Sequence, residues 1–146
     1  MKTISSLLIA AILSAATFAA IAQSVTRTPL PAGHPLIGVW RIDLPNGCYE
    51  EYEVHSDGTK LSRSGEEGNE SEFEISLNPS DKGFYKWTDK ITKGNGRPDC
   101  GGSVTELGHV AVNYIRLHPS GQRYLLCEAE DMKSCFAEFR RTTSGV

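Results

Sequence analysis

From Leu36 onward, clusters of Gly, Pro, Asn and Asp break the chain about every eight to twelve residues. The segments between the breaks alternate polar and apolar instead of repeating at helical spacing. A chain cut this finely has no room for packed helices. It can form short strands, each with one face for a core and one for water. Eight strands are expected, at residues 36–43, 48–55, 59–64, 70–77, 84–91, 109–118, 123–127 and 135–141. The turns between them carry their own signals: Pro45-Asn46-Gly47, Asp57-Gly58, residues 78–83, a Gly-rich loop at 93–103, and Pro119-Ser120-Gly121. Asp57-Gly58 tolerates positive φ and so marks a tight hairpin. Short connections favour neighbouring antiparallel strands. The expected fold is therefore all-β: an eight-stranded antiparallel barrel, which has no exposed edges, with a β-sandwich as the second arrangement.

Strand parity assigns the faces. Glu50, Tyr52 and Val54 share one side, with Glu51, Glu53 and His55 on the other. Phe73, Ile75 and Leu77 point inward against Glu72, Glu74 and Ser76, and Tyr85, Trp87 and Ile91 share a face. The aromatics Trp40, Tyr52, Phe73, Phe84, Trp87, Tyr114, Tyr124, Phe136 and Phe139 fall on nearly every strand and are expected first in the core. In a barrel of this size some would instead line a cavity. Glu50, Tyr52, Trp87 and Tyr114 are the candidate lining residues.

The start of the chain is different. Met1-Lys2-Thr3 is a short basic start, residues 4–19 are apolar and Ala-rich, and Ala20-Ile21-Ala22 places small residues at a cleavage site. This is the pattern of a signal peptide at 1–22, cut before Gln23. An uncleaved anchor is the alternative, but no basic residues stand just after the apolar run. Residues 23–35 carry three prolines and one glycine and are expected to form an extended, poorly ordered lead-in to a single β domain at 36–146. Export to a bacterial periplasm or beyond the cell is the expected destination.

All four cysteines, Cys48, Cys100, Cys127 and Cys135, lie after the leader. An even count in an exported chain implies two disulfides. Of the three pairings, Cys48–Cys100 and Cys127–Cys135 are favoured: the first ties an early strand to the long loop, the second closes a hairpin. Loop-closure entropy makes them worth about 4.2 and about 2.6 kcal/mol. A zinc site lacks its usual paired spacings.

No catalytic motif is visible. His34, His55, His109 and His118 fall in no zinc spacing and follow no nucleophile motif, and the nearest carboxylate pair, Glu50 and Glu53, lies on opposite faces of one strand. Without the leader the charge is 14 basic (15 − 1) against 18 acidic residues, or −4, which argues against a nucleic-acid or anionic-membrane surface. The acidity concentrates in Glu66, Glu67, Glu70, Glu72 and Glu74, a candidate surface for a basic protein partner.

Gly38-Val39-Trp40 resembles the Gly-x-Trp opening of the lipocalin and wider calycin group of barrels. In those barrels the tryptophan closes one end and a late arginine stacks across it. The resemblance gives these roles to Trp40 and to Arg140 or Arg141, and implies an eight-stranded barrel that binds a small apolar ligand or a protein. The length after the leader is similar to that of avidin-like barrels and small periplasmic inhibitor barrels. The expected function is an exported, non-enzymatic binding protein without cofactor or metal, holding a small apolar ligand. The alternative is an inhibitor or immunity-type protein that binds a partner enzyme.

Overall fold

A computed structural model describes residues 24–142. The leader assigned to 1–22 lies outside the described residues. Eight strands follow one another: β1 (Gly38–Asp43), β2 (Tyr49–Val54), β3 (Thr59–Ser64), β4 (Glu67–Ile75), β5 (Tyr85–Gly94), β6 (Val110–Leu117), β7 (Arg123–Cys127) and β8 (Cys135–Arg141). Each pairs antiparallel with its sequence neighbours, and β1 meets β8 to close the ring. The fold is thus an eight-stranded up-and-down barrel and not a sandwich. The closing seam is short: Trp40 faces Arg141 and Arg41 faces Arg140.

Period-2 alternation does most of the building. In β4 the odd residues Glu67, Asn69, Ser71, Phe73 and Ile75 are buried, while Glu70 and Glu74 stand in solvent. In β5 the same rule turns Trp87, Asp89 and Ile91 inward. Leu77 does not join them: it lies past the last paired residue of β4, where alternation no longer applies, and is 52% exposed. Phe136 is 58% exposed because its position in β8 puts it on the outer face, opposite in parity to buried Phe139.

Both favoured disulfides form, Cys48–Cys100 and Cys127–Cys135. Both sit at the end of the barrel where β1 stops and β2 starts. The opposite end is covered by residues 24–37. These form no strand, yet they do not hang free. The Thr28 N–H donates to the Phe73 carbonyl at 2.9 Å, the Leu30 N–H to that of Ser56 at 2.7 Å, and the Leu30 and Leu36 side chains are buried. The lead-in runs directly over the β2–β3 turn. Gly58 there has φ +85°, and a Cβ would stand 2.8 Å from the Thr28 carbonyl oxygen. Asp57 keeps negative φ, so this is a four-residue hairpin loop with one left-handed residue instead of a doubly left-handed turn.

Candidate functional site

The barrel interior has two zones. Toward the lead-in it is solid. Trp40, fully buried, packs its edge on Tyr124 with centroids 4.8 Å apart; Tyr124 stacks on Phe139 at 5.2 Å and Phe139 on Tyr52 at 4.6 Å. Ile75, Ile115 and Leu126 fill the gaps. The Trp40 Nε1–H donates to the Leu36 carbonyl at 2.8 Å, which fixes the indole under the lead-in. Arg141 closes this end. Its guanidinium lies 4.2 Å from the Trp40 ring centroid and donates to the carbonyls of Ile37 (2.7 Å), Gly121 (3.2 Å) and Pro35. The cation–π contact contributes about 0.5–2 kcal/mol. Arg140 has no part in this; it points outward to Glu138 at 3.2 Å.

Toward the disulfide end the interior opens into a polar cup of about 230 Å³. Its walls come from Glu50 and Tyr52 of β2, Lys60, Ser62 and Ser64 of β3, Glu67 and Asn69 of β4, Trp87, Asp89 and Ile91 of β5, Ala111 and Asn113 of β6, and Leu126 of β7; Asp99, Thr105 and His109 stand at the mouth. At its base lies a buried ion pair, Lys60 Nζ to Asp89 Oδ2 at 2.5 Å, with both residues under 10% exposed. The ammonium also lies over two aromatic faces, 4.6 Å from the Tyr52 centroid and 5.1 Å from that of Trp87. One charge-assisted contact and two cation–π contacts thus offset the cost of taking the ammonium out of water.

The rest of the cup is acidic. Glu50 accepts from Ser64 Oγ at 3.1 Å and from the Tyr52 hydroxyl at 3.4 Å; Glu67 accepts from the Thr105 N–H at 2.8 Å. Burial first, and then the negative charges of Glu50, Asp89 and Glu67, hold the Tyr52 hydroxyl far above its ordinary range. Burial also pushes up Tyr124, followed by Tyr52, Asp89 and Glu50. Two buried polar atoms lack a hydrogen-bond partner among the described residues, Trp87 Nε1 and the Tyr124 hydroxyl.

Residues 95–109 form one side of the mouth. Cys100 is tied to Cys48, and its N–H donates to Ser64 Oγ at 3.1 Å. The Asn95 side chain donates to the Glu66 carbonyl at 2.9 Å. Asp99 Oδ1 accepts from the N–H groups of Gly101 and Ser103, each at 2.8 Å. The loop lies so close to the β3–β4 turn that a Cβ on Gly65, at φ +59°, would sit 3.1 Å from the Asp99 and Cys100 backbone.

Of the four lining residues expected from the sequence, Glu50, Tyr52 and Trp87 stand in the cup wall. Tyr114 does not. It pairs with Lys86, whose side chain is exposed, and shares the outer face with it; the inward residues of β6 are Ala111, Asn113 and Ile115. The acidic run is also divided. Glu67 points into the barrel, whereas Glu66, Glu70, Glu72 and Glu74 face out. Three of the latter have nearby cations: Arg97 at 3.8 Å, Lys93 at 2.8 Å and Arg27 at 3.7 Å, respectively. Sequence reasoning missed Lys60 and Asp89. A signal existed for both. Lys60 pairs across the hairpin with inward Val54, and Asp89 lies midway between inward Trp87 and Ile91.

No protein family, curated protein or solved structure matches the chain.

Proposed function

We propose that this chain is a non-enzymatic binding protein of calycin type, exported through its leader, that holds a small polar molecule in the cup of its barrel. The observation that carries the reading is the division of the interior: one half packed solid by aromatics, the other an accessible hollow lined by hydrogen-bonding groups. Pockets of this form are built around a few placed polar groups that fix a ligand's orientation. The stacked Trp40–Arg141 closure supports the calycin assignment. The polar lining favours a polar ligand over the apolar one expected from the sequence. Neither of two histidine clusters is arranged as a general base. His118 Nδ1 lies 2.8 Å from Ser120 Oγ, but the other ring nitrogen meets Arg123 at 3.2 Å. A cation there takes the place of the carboxylate that a general base needs behind it. His55 has a carboxylate behind it, Glu53 at 3.1 Å, but the Thr59 hydroxyl that it faces at 3.0 Å donates to Asp57 at 2.6 Å, so no hydroxyl proton is directed at the imidazole.

The test is to purify the oxidised protein from its native source, unfold it and identify released small molecules by mass spectrometry. A polar compound in near-stoichiometric amount is the expected result. Capture of a protein with no small molecule would favour the second reading, an inhibitor. That reading draws on the stapled 95–109 loop, which presents Val104 and Leu107 to solvent, the latter 68% exposed. A preorganised loop loses little entropy on docking.

A further inference from the structure

Resting on the reading of the cup as a ligand site, we infer that its ligand is a small organic cation, an amine that also carries an oxygen acceptor. Four carboxylates, Glu50, Glu67, Asp89 and Asp99, border the hollow against one ammonium, that of Lys60. Lys60 is spent on Asp89, so three acids remain without a cationic partner in the cup. Charge complementarity then selects a positive guest. Glu67 engages the Thr105 N–H through Oε1 and keeps Oε2 free for one.

An inorganic ion does not fit this arrangement. No three His, Cys, Asp or Glu side chains converge at metal-binding distance among the described residues. The acids are spread around the wall instead, which suits a guest with some length. The hollow of about 230 Å³ matches the liquid volume of about eight waters, the size of a small metabolite.

Two further features describe the guest. The protein already seats an ammonium over the faces of Tyr52 and Trp87, so the interior is suited to a nitrogen cation beside aromatic rings. Asn69, part of the cup wall and 7% exposed, has no side-chain hydrogen bond among the described residues. A buried amide left unpaired is costly. A hydroxyl or carbonyl oxygen on the guest would accept from it. Neither an anion nor a plain hydrocarbon meets both demands.

Two sets of matched probes separate charge from shape: glucosamine, glucose and glucuronate on a bulky skeleton, and aminobutanol, butanediol and hydroxybutyrate on a slender one. Each is titrated into the oxidised protein and followed by the amide and indole N–H resonances. The cationic member of at least one set is expected to shift the Trp87 indole and the Asn69 and Asn113 side-chain signals at lower concentration than its neutral and anionic partners. Glu67→Gln, which keeps an oxygen for the Thr105 N–H, should weaken that binding by about tenfold, and Glu50→Gln should do so independently. If a neutral or anionic member binds as well as the cation, the cationic class falls while the cup remains a binding site. If no probe moves cup resonances at millimolar concentration, both the class and the binding reading fall.

Discussion

The two ends of this barrel are built from the same strands and solve opposite problems. At the lead-in end most inward positions are large and apolar; the Trp40 indole and the Arg141 guanidinium are bonded to backbone carbonyls, and the buried Tyr124 hydroxyl has no partner among the described residues. At the disulfide end the inward positions are Glu50, Ser64, Glu67 and Asn69, which cannot drive their own burial. Covalent cross-links stand where hydrophobic packing does not. The closed end gives the domain its stability, and the open end is free to keep a hollow because the disulfides hold its rim.

The comparison can be broken in four places. The largest effect is expected at the plug. Trp40→Ala removes the fully buried indole and its contacts with Tyr124 and Arg141, and should cost about 4 kcal/mol in chemical denaturation. A loss under about 1 kcal/mol would show that the stability lies elsewhere. Slightly smaller is removal of the rim link. Cys48→Ser with Cys100→Ser should cost up to about 4 kcal/mol, and less if the loop's hydrogen bonds persist. Its signature is local: amide exchange should rise across residues 95–109 before it rises at Leu36 or Phe139.

Third is the ion pair at the boundary between the two zones. Lys60→Met alone leaves Asp89 buried without its cation and should cost about 3 kcal/mol, whereas Lys60→Met combined with Asp89→Leu should recover most of that loss. Equal losses in the single and double variants would mean that packing, and not charge, matters there. The smallest effect is a pH response confined to the closed end. Burial holds the His34 imidazole below its ordinary value of 6.5, and its Nδ1 accepts the Leu36 N–H at 3.2 Å. Hydrogen bonds from Thr59 hold Asp57 below 3.8. Both folded values are depressed, so the folded state binds these protons less readily than the unfolded chain. The associated stability is present above the ordinary values and is lost as pH falls through them, first for His34 and then for Asp57. Protection of the Leu36 amide should decline below about pH 6.5 and that of Thr59 below about pH 4. A matching decline in the cup would remove the distinction.

The same contrast explains what could be read from the residues. The strands of the closed half announce themselves, because Val54, Phe73, Ile75 and Phe139 alternate with polar neighbours. Where the inner face is polar, the period is silent. Glu67, Gly68, Asn69 and Glu70 contain no apolar residue, so β4 was expected to begin at Glu70 although pairing with β3 begins at Glu67. Hydrophobicity chose Tyr114 over Asn113 for the interior, whereas the register with β5 chooses Asn113. Disulfide pairing was legible because a barrel brings hairpin partners and rim loops together. The Lys60–Asp89 contact joins two strands that are not neighbours, and only the curvature of the closed ring brings them into contact.

The seam between β1 and β8 rests on two residue pairs that join the first strand to the last. Until the eighth strand is available, the first has an unpaired edge, and the other seven form an open, curling sheet. Shutting the ring therefore carries the chain-entropy cost of a very long loop and belongs late in folding, the slow step typical of topologies dominated by distant contacts.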